Sequence, residues 1–304
     1  MRFAEIVERY SSLIFISGLI IGVLTDSFSR FEFLVPFILG FVMFLSFLKI
    51  DYKKIVDYMK RPSLLFFISF IQMILFPILF YLFFKLINEE FAIAVLLLVA
   101  LPSAVFSPVL ANMFKGETNL SVVLVILNHI VSVFSIPFLF YLLIGRKLSI
   151  DVNLLALSLF ELIIIPLVLA AIVLYKYNDR VKRIDPYLNS IAIIGLFFIT
   201  IFALSPHHSY IFQNLLNCMS LMLFQFLIFL SLLIIYLVPM KLKKEERRTV
   251  TITKSFMNNM LGVVIALKFF SPYYLVFMVL TGVPWILMLL VSKRIYTESF
   301  WPHR

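Results

Sequence analysis

The side chains able to act on a solute or an ion are few, and they lie inside apolar runs, where a polar group is costly unless it has a task or a partner. Lys254 stands about one turn past the basic stretch that ends at Arg248. An ammonium there must snorkel, pair or face water, so it reads either as a functional group of the span or as a side chain snorkelling back to the cytoplasmic surface. Glu161, the only carboxylate deep in any run, is a candidate charge partner; a Glu161 lining a cavity alone, or protonated against lipid, reads equally well. Pro102-Ser103 and Ser107-Pro108 interrupt one run, and Lys254-Ser255 with Asn258-Asn259 interrupt another. A proline inside a helix removes a backbone hydrogen bond and clashes with the preceding turn, so the first interruption predicts two half-helices with free amides and carbonyls between them. Such groups are tolerated at membrane depth only where protein or a water-filled cavity covers them, and this makes paired breaks a marker of a binding site. Asn128 and His129 lie mid-run, where each either bonds a neighbouring helix or lines a pathway. Gln72 and Gln225 are lone amides amid aromatics.

The same residues exclude other chemistry. No nucleophile elbow, paired-aspartate motif, zinc-type histidine pair or phosphate-binding glycine loop is present, so an enzyme is not expected. The single cysteine, Cys218, rules out a disulfide or a cysteine metal centre within one chain, and no metal or cofactor is expected.

The elements that must position these groups are membrane helices. With 63% apolar and 14% charged residues, and a mean hydropathy of +1.08, 304 residues have too little polar surface to cover a water-soluble globule. Ten runs read as spans: Ser11–Leu24, Glu32–Leu48, Ser63–Leu86, Phe91–Met113, Leu120–Ile144, Asn153–Leu174, Tyr187–Leu204, Ile211–Met240, Val250–Phe270 and Tyr273–Val291. The run Ser11–Leu24 reads as a retained first helix and not a removed signal peptide. The net charge of +10 marks cytoplasmic loops and not a nucleic-acid surface. Of the 26 Lys and Arg, twenty fall on the face of the two termini and the even-numbered loops, five on the opposite face, and Lys254 inside a span. That asymmetry predicts a multi-pass plasma-membrane protein with both termini cytoplasmic.

The chain divides near Gly145–Val152 into a first five-helix repeat over 1–147 and a second, inverted one over 148–304. The third and eighth spans carry Gln72 and Gln225, and the following span is broken in each half, at Pro102 and at Asn258. The fold class is therefore all-α, two inverted repeats with the fourth and ninth helices broken.

These motifs resemble the bile acid:sodium symporter family, whose superfamily also holds arsenite permeases and auxin efflux carriers. The resemblance runs from Phe41-Val42-Met43-Phe44 through the basic stretch Asp51-Tyr52-Lys53-Lys54 to Lys60-Arg61-Pro62, then Gln72 to Pro77. It continues through Pro102-Ser103-Ala104-Val105-Phe106-Ser107 to Lys115-Gly116 and Leu120-Ser121, and ends at Met257-Asn258-Asn259-Met260-Leu261-Gly262. The resemblance implies a ten-helix transporter in which spans four and nine unwind and cross near the midplane, with sodium beside the crossing. Auxin carriers place their proline break in the second half, and arsenite permeases place a cysteine in span four; this chain does neither.

Carried over by resemblance, the sodium ligands fall on Gln72, Ser107, Ser121, Asn258 and Asn259. Three positions depart: Pro108 replaces an asparagine, Val125 a hydroxyl residue, and Lys254 the glutamate shared by both sodium sites. A lysine in that place repels a cation, so altered or absent sodium coupling is expected, with Lys254 drawing a small organic anion. The expected partners are the bilayer and that solute. The alternatives are a non-transporting sensor on the same fold and an exporter like the auxin or arsenite carriers.

Overall fold

The structure is a computed structural model that describes residues 2–50, 58, 60–145, 150–237 and 241–297. Lys53, Lys54, Arg146, Lys147, Met240, His303 and Arg304, with the Asp51-Tyr52 pair, lie outside the described residues.

In chain order the helices are α1 Arg2–Arg9, α2 Ser11–Leu24, α3 Val35–Phe47, α4 Pro62–Phe70, α5 Phe76–Lys85, α6 Glu89–Ala100, α7 Ser107–Met113 and α8 Thr118–Leu143. They continue as α9 Val152–Leu159, α10 Ile165–Leu204, α11 His208–Gln213, α12 Leu215–Ser231, α13 Lys244–Ser255, α14 Asn259–Phe269, α15 Pro272–Leu280 and α16 Gly282–Thr297. One π-helical turn, Ile71–Leu75, joins α4 to α5, and another, Phe160–Ile164, joins α9 to α10. The only pairing outside helices, among the described residues, is a bridge between Ser103 and Met257.

Helix starts follow from local chemistry. The Asn88 side chain accepts from Phe91 N at 2.8 Å, Glu117 from Leu120 N at 2.6 Å, and Asp151 from Asn153 N at 2.9 Å, each meeting an amide that the first turn leaves unpaired. Pro36 and Pro62 sit in first turns, where no intrahelical donor is lost.

Among the described residues six stretches are helical, long and apolar enough to cross a membrane: Ser29–Phe47, Pro62–Lys85, Thr118–Leu143, Val152–Gln213, Leu215–Ile235 and Pro272–Tyr296. A seventh is formed if the bent pair Phe3–Arg9 and Ser11–Leu24 is one span. The two runs expected to be broken are broken, Phe91–Met113 between α6 and α7 and Val250–Phe270 between α13 and α14. Two others meet at a kink where a loop was expected. Asn153–Leu174 and Tyr187–Leu204 fall within one 62-residue stretch whose helical path is interrupted at Tyr177 (φ −133°, ψ 28°). At 1.5 Å per residue such a stretch is about three bilayer thicknesses long, too long for one crossing.

The chain forms two compact units, and each draws on both halves of the sequence: Met1–Ile50, Leu148–Met219 and Met260–Leu280 in the first, Asp51–Lys147, Ser220–Asn259 and Thr281–Arg304 in the second. In the first, α10 packs along α2 and α3. Gly22 permits that approach: a Cβ there would stand 3.0 Å from Leu204 Cβ. In the second, α6 is buried from Ala92 through Ala100 and packs against α5.

Candidate functional site

The candidate residues of the second unit gather around two breaks. α6 ends at Ala100, and Leu101 turns extended (φ −63°, ψ 144°) ahead of Pro102. Pro108 breaks nothing: it lies in the first turn of α7, so the interruption comes from residues 101–106 and Pro108 helps to restart the helix. On the other side α13 ends at Ser255 and α14 begins at Asn259. The two non-helical segments pair antiparallel. Ala104 N donates to Phe256 O at 2.7 Å and Asn258 N donates to Pro102 O at 2.8 Å. Each break thus satisfies amides and carbonyls that the other frees, which stabilises irregular backbone in an apolar setting.

A buried side-chain network holds this pairing. The Asn128 amide donates to Gln72 Oε1 at 2.7 Å and to Ser103 Oγ at 3.1 Å, and its oxygen accepts from Ser69 Oγ at 3.0 Å. Gln72, on the π-helical turn, donates to Val250 O at 2.8 Å and to Thr253 Oγ1 at 3.1 Å. Ser69, Gln72, Ser103, Asn128 and Thr253 are all buried, and in a low-dielectric interior a fully satisfied network of this kind fixes one arrangement of its helices. The extra residue of the π-turn is a common accompaniment of functional positions in helices.

His129 ties the same helix to the second break. Its Nδ1–H donates to Val125 O at 2.8 Å, and the Asn258 amide donates to its Nε2 at 3.2 Å. One nitrogen gives and the other accepts, which is the pattern of a neutral imidazole.

Lys254 is 1% exposed, and its Nζ donates to the Val99 carbonyl in the last turn of α6. It therefore does not snorkel to a surface. Four buried oxygens near the helix ends of the two breaks or on the adjoining α8, those of Ser107, Ser121, Ser255 and the Asn259 amide, have no hydrogen-bond partner among the described residues. Glu161 is placed elsewhere, in the first unit, exposed on the second π-helical turn. Among the described residues no group of three or more His, Cys, Asp or Glu could hold a metal ion.

The base of the site is braced by close packing. Thr249 Oγ1 accepts from Glu117 N at 2.6 Å and donates to Glu117 O at 3.0 Å, pinning the start of α8 to α13. Gly116 makes this approach possible, because a Cβ there would meet Thr249 Oγ1 at 2.7 Å. The buried Glu246 carboxylate accepts from Lys243 N at 3.0 Å, capping α13, and forms an ion pair with Arg61. Tyr58 adds its hydroxyl to Glu246 at 3.4 Å; burial, then the charges of Glu117 and Glu246, hold its phenol above the ordinary tyrosine range.

Reading the sequence missed Ser69, Thr249 and Thr253. Their signal was spacing: Ser69 precedes Gln72 by three residues and Thr249 precedes Thr253 by four, so each pair shares a helix face.

A model of the sodium bile acid symporter family matches residues 36–214. That stretch includes Gln72, Pro102, Ser103, Ser107, Pro108, Ser121, Asn128 and His129, whereas Lys254, Asn258 and Asn259 lie beyond it. No curated protein matches the chain.

Proposed function

The chain belongs to the sodium bile acid symporter family, and from that premise we propose that it is a secondary transporter of a small organic anion whose movement is not driven by sodium. The observation that carries the reading is Lys254, buried with its ammonium on the Val99 carbonyl at the paired breaks. A sodium site needs several oxygens and, in most cases, a carboxylate. The hydroxyls of Ser107 and Ser121 and the Asn259 amide are neutral donors of the right kind. The one buried carboxylate among the described residues of this unit, Glu246, already pairs with Arg61. At 4 Å two unit positive charges repel by about 4 kcal/mol at an effective dielectric constant of about 20, comparable to the whole affinity of a weak ion site. Lys254 stands in for the cation, stabilises the crossing and offers its remaining ammonium protons to an anionic solute.

The architecture we assign is ten spans in two inverted repeats of 1–147 and 148–304, with the broken fourth and ninth spans crossing near the midplane and both termini in the cytoplasm. Its support is the twenty-to-five sorting of basic residues and the pairing of the breaks.

The test is uptake of a panel of organic anions, beginning with cholate, into proteoliposomes with sodium outside or with sodium replaced by potassium. Equal rates are expected, with uptake lost in Lys254→Met. A several-fold stimulation by the sodium gradient would refute the reading.

A further inference from the structure

The short helix α1 presents three different faces. Ala4 and Val7 are buried against α10, where Ser190 Oγ donates to Ala4 O at 3.1 Å. Glu5 and Glu8 line a hollow shared with Lys49, Asp185 and Asn189. Phe3 and Ile6, with Tyr10 at the bend just past the end of α1, spaced three and four apart, form a third face that is exposed by 63%, 50% and 46%.

That third face is continuous with a surface whose occupant is the bilayer. The stripe carries on into α2 as Leu13, Ile16, Ile20 and Leu24, all exposed on a helix with no charged residue. The two helices meet at 68°. If α2 runs along the bilayer normal, eight residues of α1, about 12 Å of helix, rise only about 4 Å along that normal, so α1 lies close to the membrane plane. A helix in that orientation, with an apolar stripe on one side and acidic residues facing a polar hollow on the other, has the pattern of an interfacial helix. Tyr10, with the Arg9 guanidinium 5.9 Å from its ring centroid, is an aromatic anchor beside a basic residue, a pairing enriched at headgroup level.

We propose that α1 is a membrane-surface anchor: it seats Phe3, Ile6 and Tyr10 at the boundary between headgroups and acyl chains while Ala4 and Val7 tie it to α10. The function of the transport site does not enter this inference.

Spin labelling tests it directly, because Cys218 is the only cysteine. In a Cys218→Ser background, nitroxides at Phe3→Cys, Ile6→Cys, Glu5→Cys and Leu13→Cys are measured in nanodiscs of phosphatidylcholine and phosphatidylglycerol, with oxygen and a water-soluble nickel chelate as relaxants. Positions 3 and 6 are expected to resemble position 13, with a ratio of oxygen to nickel access several-fold above that of position 5. A ratio at 3 and 6 equal to that at 5 places the stripe in water and overturns the proposal. Shielding from both relaxants at 3 and 6 places a second protein surface over it and overturns the proposal as well. If Cys218→Ser does not fold, Cys218→Ala supplies the background, and Ile6→Cys alone decides.

Discussion

Asn128→Leu removes the centre of the buried network at nearly constant side-chain volume. Three hydrogen bonds end, to Gln72 Oε1, to Ser103 Oγ and from Ser69 Oγ. Interhelical bonds inside membranes average about 0.6 kcal/mol each, so their loss costs about 2 kcal/mol. The two hydroxyls can turn to backbone carbonyls, but Gln72 Oε1 is left buried without a donor, which adds about 1–3 kcal/mol. The expected destabilisation is therefore about 3–5 kcal/mol. Gln72→Leu in the same chain removes the stranded oxygen, so the double variant is expected to lose about 1–2 kcal/mol less than the sum of the singles. Reversible unfolding of purified protein in mixed micelles titrated with dodecyl sulfate measures all four corners of the cycle. A loss below about 0.5 kcal/mol for Asn128→Leu, together with additive singles, would show that the network does not hold the breaks together.

Two further outcomes follow from the brace beneath the site. Gly116→Ala forces a Cβ against Thr249 Oγ1 at 2.7 Å, and an overpacked contact of this kind costs about 1–3 kcal/mol, read as a lower melting temperature that Thr249→Ala partly restores. The Tyr58 phenol is held neutral beyond the ordinary range, so above about pH 10 the unfolded chain releases a proton that the folded chain keeps, and stability falls as pH rises from there. Tyr58→Phe is expected to flatten that alkaline decline in a melting-temperature profile, and an unchanged slope would contradict the assignment.

The parts of this fold legible from residue types were those governed by solvent and by local backbone chemistry. Lipid solubility decided helices, and α2 begins and ends where the apolar run Ser11–Leu24 does. The breaks were legible because Pro102 and the Asn258-Asn259 pair are poor helix interiors. Their pairing was less so. Ala104 and Phe256 are 152 positions apart, and only the family resemblance suggested that spans four and nine meet. The role of Pro108 was misjudged because proline disrupts a helix interior but suits a first turn, and which applies depends on where the preceding helix stopped. The loop expected after Leu174 is reduced to a kink at Tyr177 with helix on either side, although residues from Lys176 to Tyr187 are mostly exposed; charged residues there, such as Lys176, Arg180 and Arg183, are good helix formers in water, and hydropathy alone cannot separate them from a loop. The depth of Lys254 was open in the sequence, since one turn from a basic loop permits either snorkelling or burial. Packing against α6 decided for burial.

The central claim is that Lys254 occupies the place of a cation, and binding of radioactive sodium to the purified protein tests it without knowledge of the solute. The wild type is expected to show no saturable sodium binding, and Lys254→Glu, which replaces the buried ammonium at the paired breaks with a carboxylate, is expected to acquire it. Saturable sodium binding by the wild type, unchanged in Lys254→Glu, would contradict the account.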